Sequence, residues 1–133
     1  MAESILPIPS VIAVLICEKV VTEALTNNKS LINVFNRFIA PEEPIRSATF
    51  WIFVRLGDAE GDYQFRLELV HLDSETAIGK AEMAINVPDR LIAHELAFQF
   101  NGIEFPWFGT YEFQIFANDI WIGRTTVSVV QGS

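Results

Sequence analysis

The chain holds a single cysteine, Cys17, among 133 residues. One thiol cannot form an internal disulfide, and Cys17 closes the apolar run Val11 to Cys17, so it reads as a small buried hydrophobe in a reducing compartment. Basic residues are also scarce. Nine Lys and Arg face seventeen Asp and Glu, for a net charge of −8, which repels a phosphate backbone and gives anionic lipid no basic patch. Neither nucleic acid nor a membrane surface is expected as a partner. The segment from Ile5 to Cys17 lacks a preceding Lys or Arg, is interrupted by Pro7 and Pro9, and is too short to span a bilayer, so no signal peptide is read there. The expected location is the cytoplasm.

Catalytic constellations are missing as well. The sequence has two histidines, and no Gly-rich phosphate loop, zinc-ligand spacing or basic stripe occurs in it. What it has in abundance is apolar mass, with half of the residues hydrophobic and eleven phenylalanines. A chain of this length and composition folds around one core.

Period-two alternation dominates the pattern. Tyr63, Phe65, Leu67 and Leu69 alternate with Gln64, Arg66 and Glu68, Tyr111, Phe113 and Ile115 with Glu112 and Gln114, and Leu96, Phe98 and Phe100 with Glu95, Ala97 and Gln99, as in strands with one wet face. Turn-forming residues separate these runs at short intervals. Asn118 and Asp119 read as a two-residue hairpin loop, since both tolerate positive φ, and Gly123 marks a bulge in the strand that follows. The expected fold is all-β: a two-sheet antiparallel sandwich of the immunoglobulin or fibronectin type III kind, with seven to nine strands over residues 11–131 and an extension at 1–10.

Strands are placed near 11–23, 30–39, 48–56, 62–71, 78–86, 94–101, 110–117 and 120–130. Strict alternation of direction then puts the loops 24–29, 57–61, 87–93 and 118–119 at one end and 40–47, 72–77 and 102–109 at the other. His71 and His94 fall at opposite ends, which separates the two imidazoles and argues against an enzyme. The first end gathers Asp58, Glu60, Asp62, Asp89 and Asp119 with Asn27, Asn28 and Asn118. These oxygens suggest an alternative function in binding Ca²⁺ or a small ligand such as a carbohydrate, although acidic loop tips serve mostly as solvated turn formers. No cofactor is expected.

Two strands do not alternate. Val11 to Cys17 is apolar throughout, and Phe50, Ile52, Val54 and Leu56 oppose Trp51 and Phe53. A strand apolar on both sides lies under a covering segment, here the termini or the loop Ile103 to Phe108, or belongs to an interface. The interface reading makes the chain a non-catalytic binding or assembly module. It would present Trp51 and Phe53, joined by Trp107, Phe108 or Trp121, to a protein partner or to another copy of itself.

With the strands placed, the sequence resembles a family of small uncharacterised bacterial proteins over about positions 11 to 131. The resemblance is carried by Cys17-Glu18-Lys19-Val20, Lys29-Ser30-Leu31-Ile32 and Phe35, then Gly61, Tyr63, Phe65 and Leu67-Glu68-Leu69-Val70. Val87-Pro88, Phe105-Pro106 and Gly109 with Tyr111, Glu112 and Phe113 complete it. It implies a bacterial, cytosolic β-sandwich and carries no activity onto any residue. The closing pattern of Gly109, Tyr111, Phe113, Ile120, Gly123 and Val127 also resembles the last hairpin of fibronectin-like and bacterial immunoglobulin-like modules.

Overall fold

A computed structural model describes residues 6–132. Of the expected extension 1–10, residues 1–5 lie outside the described part. The described residues are all-β and form eleven strands: β1 (Ser10–Thr22), β2 (Lys29–Phe35), β3 (Arg37–Ala40), β4 (Ile45–Arg46), β5 (Phe50–Gly57), β6 (Gly61–His71), β7 (Thr76–Val87), β8 (His94–Phe100), β9 (Glu104–Phe105), β10 (Gly109–Ala117) and β11 (Ile120–Gln131). They build a four-stranded sheet in the order β2-β1-β5-β8 and a five-stranded sheet in the order β3-β11-β10-β6-β7, with β4 and β9 pairing as a short ribbon.

Eleven exceeds the seven to nine expected, and the surplus has two sources. β4 and β9 are two-residue strands inside the expected loops. The expected strand 30–39 is cut at Asn36, where the chain leaves β2 in the first sheet and enters β3 in the second. The Asn36 carbonyl holds this corner by accepting from the Ser128 N–H at 3.0 Å.

That corner corrects the placing of one loop. β1 is antiparallel to both β2 and β5, with Ser10 beside Gly57 and Cys17 beside Trp51. The loop after Thr22 therefore lies at the end opposite to the loop after Gly57. Asn27 and Asn28 do not join the acidic loops. The remaining placements hold: His71 pairs with Tyr111 and Thr76 at one end, and His94 pairs with Leu56 at the other.

Alternation works as the pattern requires. Tyr63, Phe65, Leu67 and Leu69 of β6, Tyr111, Phe113 and Ile115 of β10, and Ile52, Val54 and Leu56 of β5 are all buried in one core. Both sheets supply it. The Phe113 ring of the second sheet meets Phe100 at 5.6 Å and Phe50 at 6.1 Å from the first, and Phe50 stacks on Phe100 at 5.3 Å. Phe38 and Phe105 extend the cluster to Tyr111.

The last hairpin follows its turn. Asn118 and Asp119 take φ of 48° and 66°, the left-handed pair that matches strand twist in a two-residue loop. The register then shifts between Ile115 and Phe116, leaving Ile122 as the extra residue of a bulge next to Gly123. A Cβ on Gly123 would lie 2.8 Å from Val11 Cγ2 and 3.2 Å from Val11 Cβ, so β1 and β11 come together only because that side chain is missing. Gly123→Ala is expected to cost about 1–3 kcal/mol, measured by urea denaturation. Combining it with Val11→Ala should cost less than the sum of the two single changes.

Candidate partner face and the acidic end

On β5 the side chains of Phe50, Ile52, Val54 and Leu56 point into the core, which turns Trp51, Phe53 and Arg55 to the outer face of the first sheet. Register builds the rows of that face: Val34, Cys17, Trp51 and Gln99 form one, and Leu15, Phe53 and Ala97 the next. Arg55 and Glu95 close the end with a salt bridge of 2.7 Å. Beyond the Cys17 row the ribbon changes face at Asn33, whose φ is 54°, so that Val20 and Thr22 turn toward Trp51 and the Lys19–Ile32 pair turns away from it.

Phe53 and Cys17 are 5% and 0% exposed, although neither belongs to the main core cluster. They sit under their neighbours on the outer side. The far end of the β1–β2 ribbon reaches this face, where Val20, Thr22 and Lys29 line a cavity of about 220 Å³ together with Trp51, Phe53, Glu95 and Ala97. The expected cover, the loop Ile103 to Phe108, lies elsewhere: Phe105 is buried in the core against Phe38 and Tyr111. Among the described residues the cover stops short of Leu15 and Val34, which are 40% and 50% exposed. Burial raises the Cys17 thiol pKa, against a smaller lowering by a hydrogen bond to the Lys19 backbone, so the thiol on this face is not primed as a nucleophile.

The five aromatic residues expected to share a surface are divided among three. Trp107 and Phe108 lie at the end that carries His71, where the Trp107 ring sits 5.0 Å from the imidazole and Phe108 packs against the core. Trp121 lies on the outer face of the second sheet opposite Phe116, its Nε1–H donating to the Gly123 carbonyl at 2.7 Å. Only Trp51 and Phe53 remain together. β-Strand parity and sheet order make the separation unavoidable, since the three groups sit on different sheets or different ends.

The acidic end dissolves in a different way. Asp58 accepts from Ser10 Oγ at 3.0 Å, Asp62 from Asn86 Nδ2 at 2.9 Å and Asp89 from the Leu91 N–H at 2.9 Å. Glu60 accepts from the Arg90 N–H at 3.3 Å, and Asp119 pairs with Arg66. Each carboxylate is engaged by a separate donor. Among the described residues no three His, Cys, Asp or Glu side chains converge to hold a metal ion.

His71 is also occupied structurally. It is buried, with Nδ1 2.7 Å from Ser74 Oγ and its ring 4.8 Å from Tyr111, and Tyr111 Oη donates to the Trp107 carbonyl at 2.6 Å. This network braces the loops around 72–75 and 106–109.

One polar residue escaped the sequence reading. Glu112 on β10 is only 4% exposed, on the outer face of the second sheet, where it accepts from Arg124 Nη1 at 2.8 Å and from Gln114 Nε2 at 3.0 Å. The signal was available in the two-residue turn, which registers β11 against β10 and brings Arg124 beside Glu112. Beside it, the Arg66 guanidinium packs over the Phe116 ring at 4.3 Å and pairs with Glu68.

The family model of DUF6941, a family of unknown function, matches residues 12–130. The chain belongs to that family. No curated protein matches the sequence. Among solved structures, the crystal structure of an immunoglobulin-like protein from Pseudomonas aeruginosa is similar, at 18% identity and a TM-score of 0.43, over 92% of this chain and 96% of that one.

Burial pushes the Glu112 carboxyl pKa up, but the hydrogen bonds from Arg124 and Gln114 and the Arg124 charge outweigh it, and the net shift is downward. A carboxylate with a lowered folded pKa adds stability that is complete above the unfolded value, about 4.3 for Glu, and is lost as pH falls through the folded one. Glu112→Gln should therefore lower stability at neutral pH and flatten its decline below about pH 4.3. Thermal melts of both proteins between neutral and acidic pH read this directly.

Proposed function

We propose that the protein is a non-catalytic protein-binding module, built as a two-sheet sandwich of the immunoglobulin or fibronectin type III kind. It offers the outer face of its first sheet, around Trp51, to a protein partner. The sandwich reading is supported by the shared core, in which Phe50 and Phe100 of one sheet meet Phe113 of the other.

The observation that carries the binding reading is the contrast between the two outer faces. The second sheet covers the middle of its outer face with paired polar groups, Glu112 with Arg124 and Gln114, and Arg66 with Glu68 and Asp119, and exposes Trp121 near the last hairpin turn. The first sheet leaves Leu15 and Val34 open beside a half-buried Trp51. Withdrawing the exposed half of each aliphatic side chain from water is favourable by about 1 kcal/mol apiece, and a tryptophan beside them is a frequent hot-spot residue. The face suits a partner with an apolar centre and polar rim, since Arg55 and Glu95 flank it.

A photo-crosslinking amino acid at Val34 should trap a discrete protein adduct in cells, while the same group at the exposed Gln64 on the second sheet should not. Trp51→Ser should reduce the Val34 adduct several-fold and leave a folded monomer by circular dichroism. Equal labelling at both positions, or none at Val34, contradicts the reading.

A further inference from the structure

The five-stranded sheet ends in β7, whose one described pairing partner is β6. From Gly79 to Val87 it is regular, and the bulge at Ile78 lies before that stretch. Three other strands end sheets, and each differs from it. β3 has four residues. β2 is kinked at Asn33, which takes φ of 54° inside the strand and ties its amide to Glu18 at 3.1 Å. β8 is regular, but its inward side chains Leu96, Phe98 and Phe100 are already 2%, 2% and 4% exposed, so extending the sheet there buries no further core residues.

β7 is the reverse. Its inward side chains Ala81, Met83 and Ile85 pack against the core and remain half-buried. Its outward side chains carry one cation and one anion two residues apart, Lys80 and Glu82, with Nζ and Oε1 3.3 Å apart and side chains 62% and 45% exposed. A long, straight edge of this kind is a template for another strand.

We propose that this edge pairs antiparallel with the same edge of a second copy, about a two-fold axis at Ala81, joining two five-stranded sheets into one. The charges select both the occupant and the register. A two-fold antiparallel pairing that keeps both sheets facing the same way sets residues of equal parity opposite each other. Centred on Glu82 it opposes two carboxylates, and centred on Lys80 it opposes two ammonium groups, each destabilising. Centred on Ala81 it sets Lys80 against Glu82 twice, and Gly79 against Met83, which lets the half-buried methionine lie over a residue with no side chain.

Sedimentation equilibrium at low ionic strength tests this with the intact chain. The wild-type protein is expected to dimerise reversibly. Lys80→Glu and Glu82→Lys should each weaken the dimer by about tenfold, since each replaces two attractive cross-strand pairs with two repulsive ones. The double swap should restore it, because the register opposes the same two positions. Circular dichroism melts of the three variants should stay cooperative and fall modestly, because Lys80 lies opposite Glu68 and Glu82 opposite Arg66 on β6 and each swap opposes like charges there, so association is compared at a temperature where all of them are folded. A chain that stays monomeric to about 1 mM overturns the proposal, as does a double swap that fails to rescue. So does a dimer lost on Trp51→Ser but untouched by Lys80→Glu, which would locate self-association on the apolar face.

Discussion

The ring of Phe113 sits where the two sheets meet. Phe50 and Phe100 stack on each other within the first sheet and both reach Phe113 across the core, and further rings continue the chain of contacts through Phe38 and Phe105 to Tyr111. Aromatic residues bury large areas and prefer edge-to-face or offset geometry, so this cluster both drives the sheets together and restricts how they sit. With inward positions of β5, β6, β8 and β10 committed to it, strand periodicity decides which side chains must face outward. The outer faces are therefore consequences of the core.

Those two faces were filled differently. On the second sheet a buried carboxylate, Glu112, keeps its charge because Arg124 and Gln114 satisfy it, and Arg66 is held over Phe116 between two carboxylates. The exposed pair of Arg66 with Asp119 contributes little stability and keeps the sheet wettable. On the first sheet the outer face holds Leu15, Val34, Trp51 and Phe53. The β1–β2 ribbon shelters Phe53, and the rest of the row stays open. The proposed partner face rests on this contrast between a more apolar sheet face and a better solvated one.

Much of the architecture was legible because it rests on local rules. The alternation in β6 and β10 defined core residues, the pair Asn118 and Asp119 defined a hairpin, and Gly123 its bulge. The corner at Asn36 was not legible, because residues on either side of it read as one strand and the reversal depends on a tertiary hydrogen bond from Ser128. That single corner carried Asn27 and Asn28 to the wrong end. For the site, the sequence identified Trp51 and Phe53 correctly as facing out of the core, since two apolar sets in one strand cannot share a side. It grouped Trp107, Phe108 and Trp121 with them wrongly, because composition carries no information on sheet order. The density of Asp and Glu at one end misled for a related reason: proximity in loops does not orient carboxylates, and each one here turns to a neighbouring donor.

The central claim is that the first sheet leaves an apolar row open to solvent in the isolated chain. Methyl NMR with a soluble paramagnetic agent tests it most directly, by comparing the relaxation of Leu15 and Val34 methyls with that of Ile52 and Val54 on the opposite side of the same sheet. The account predicts strong enhancement for the first two in dilute protein and almost none for the other two. Equal protection of all four would mean that the chain covers its own face, and would contradict the account.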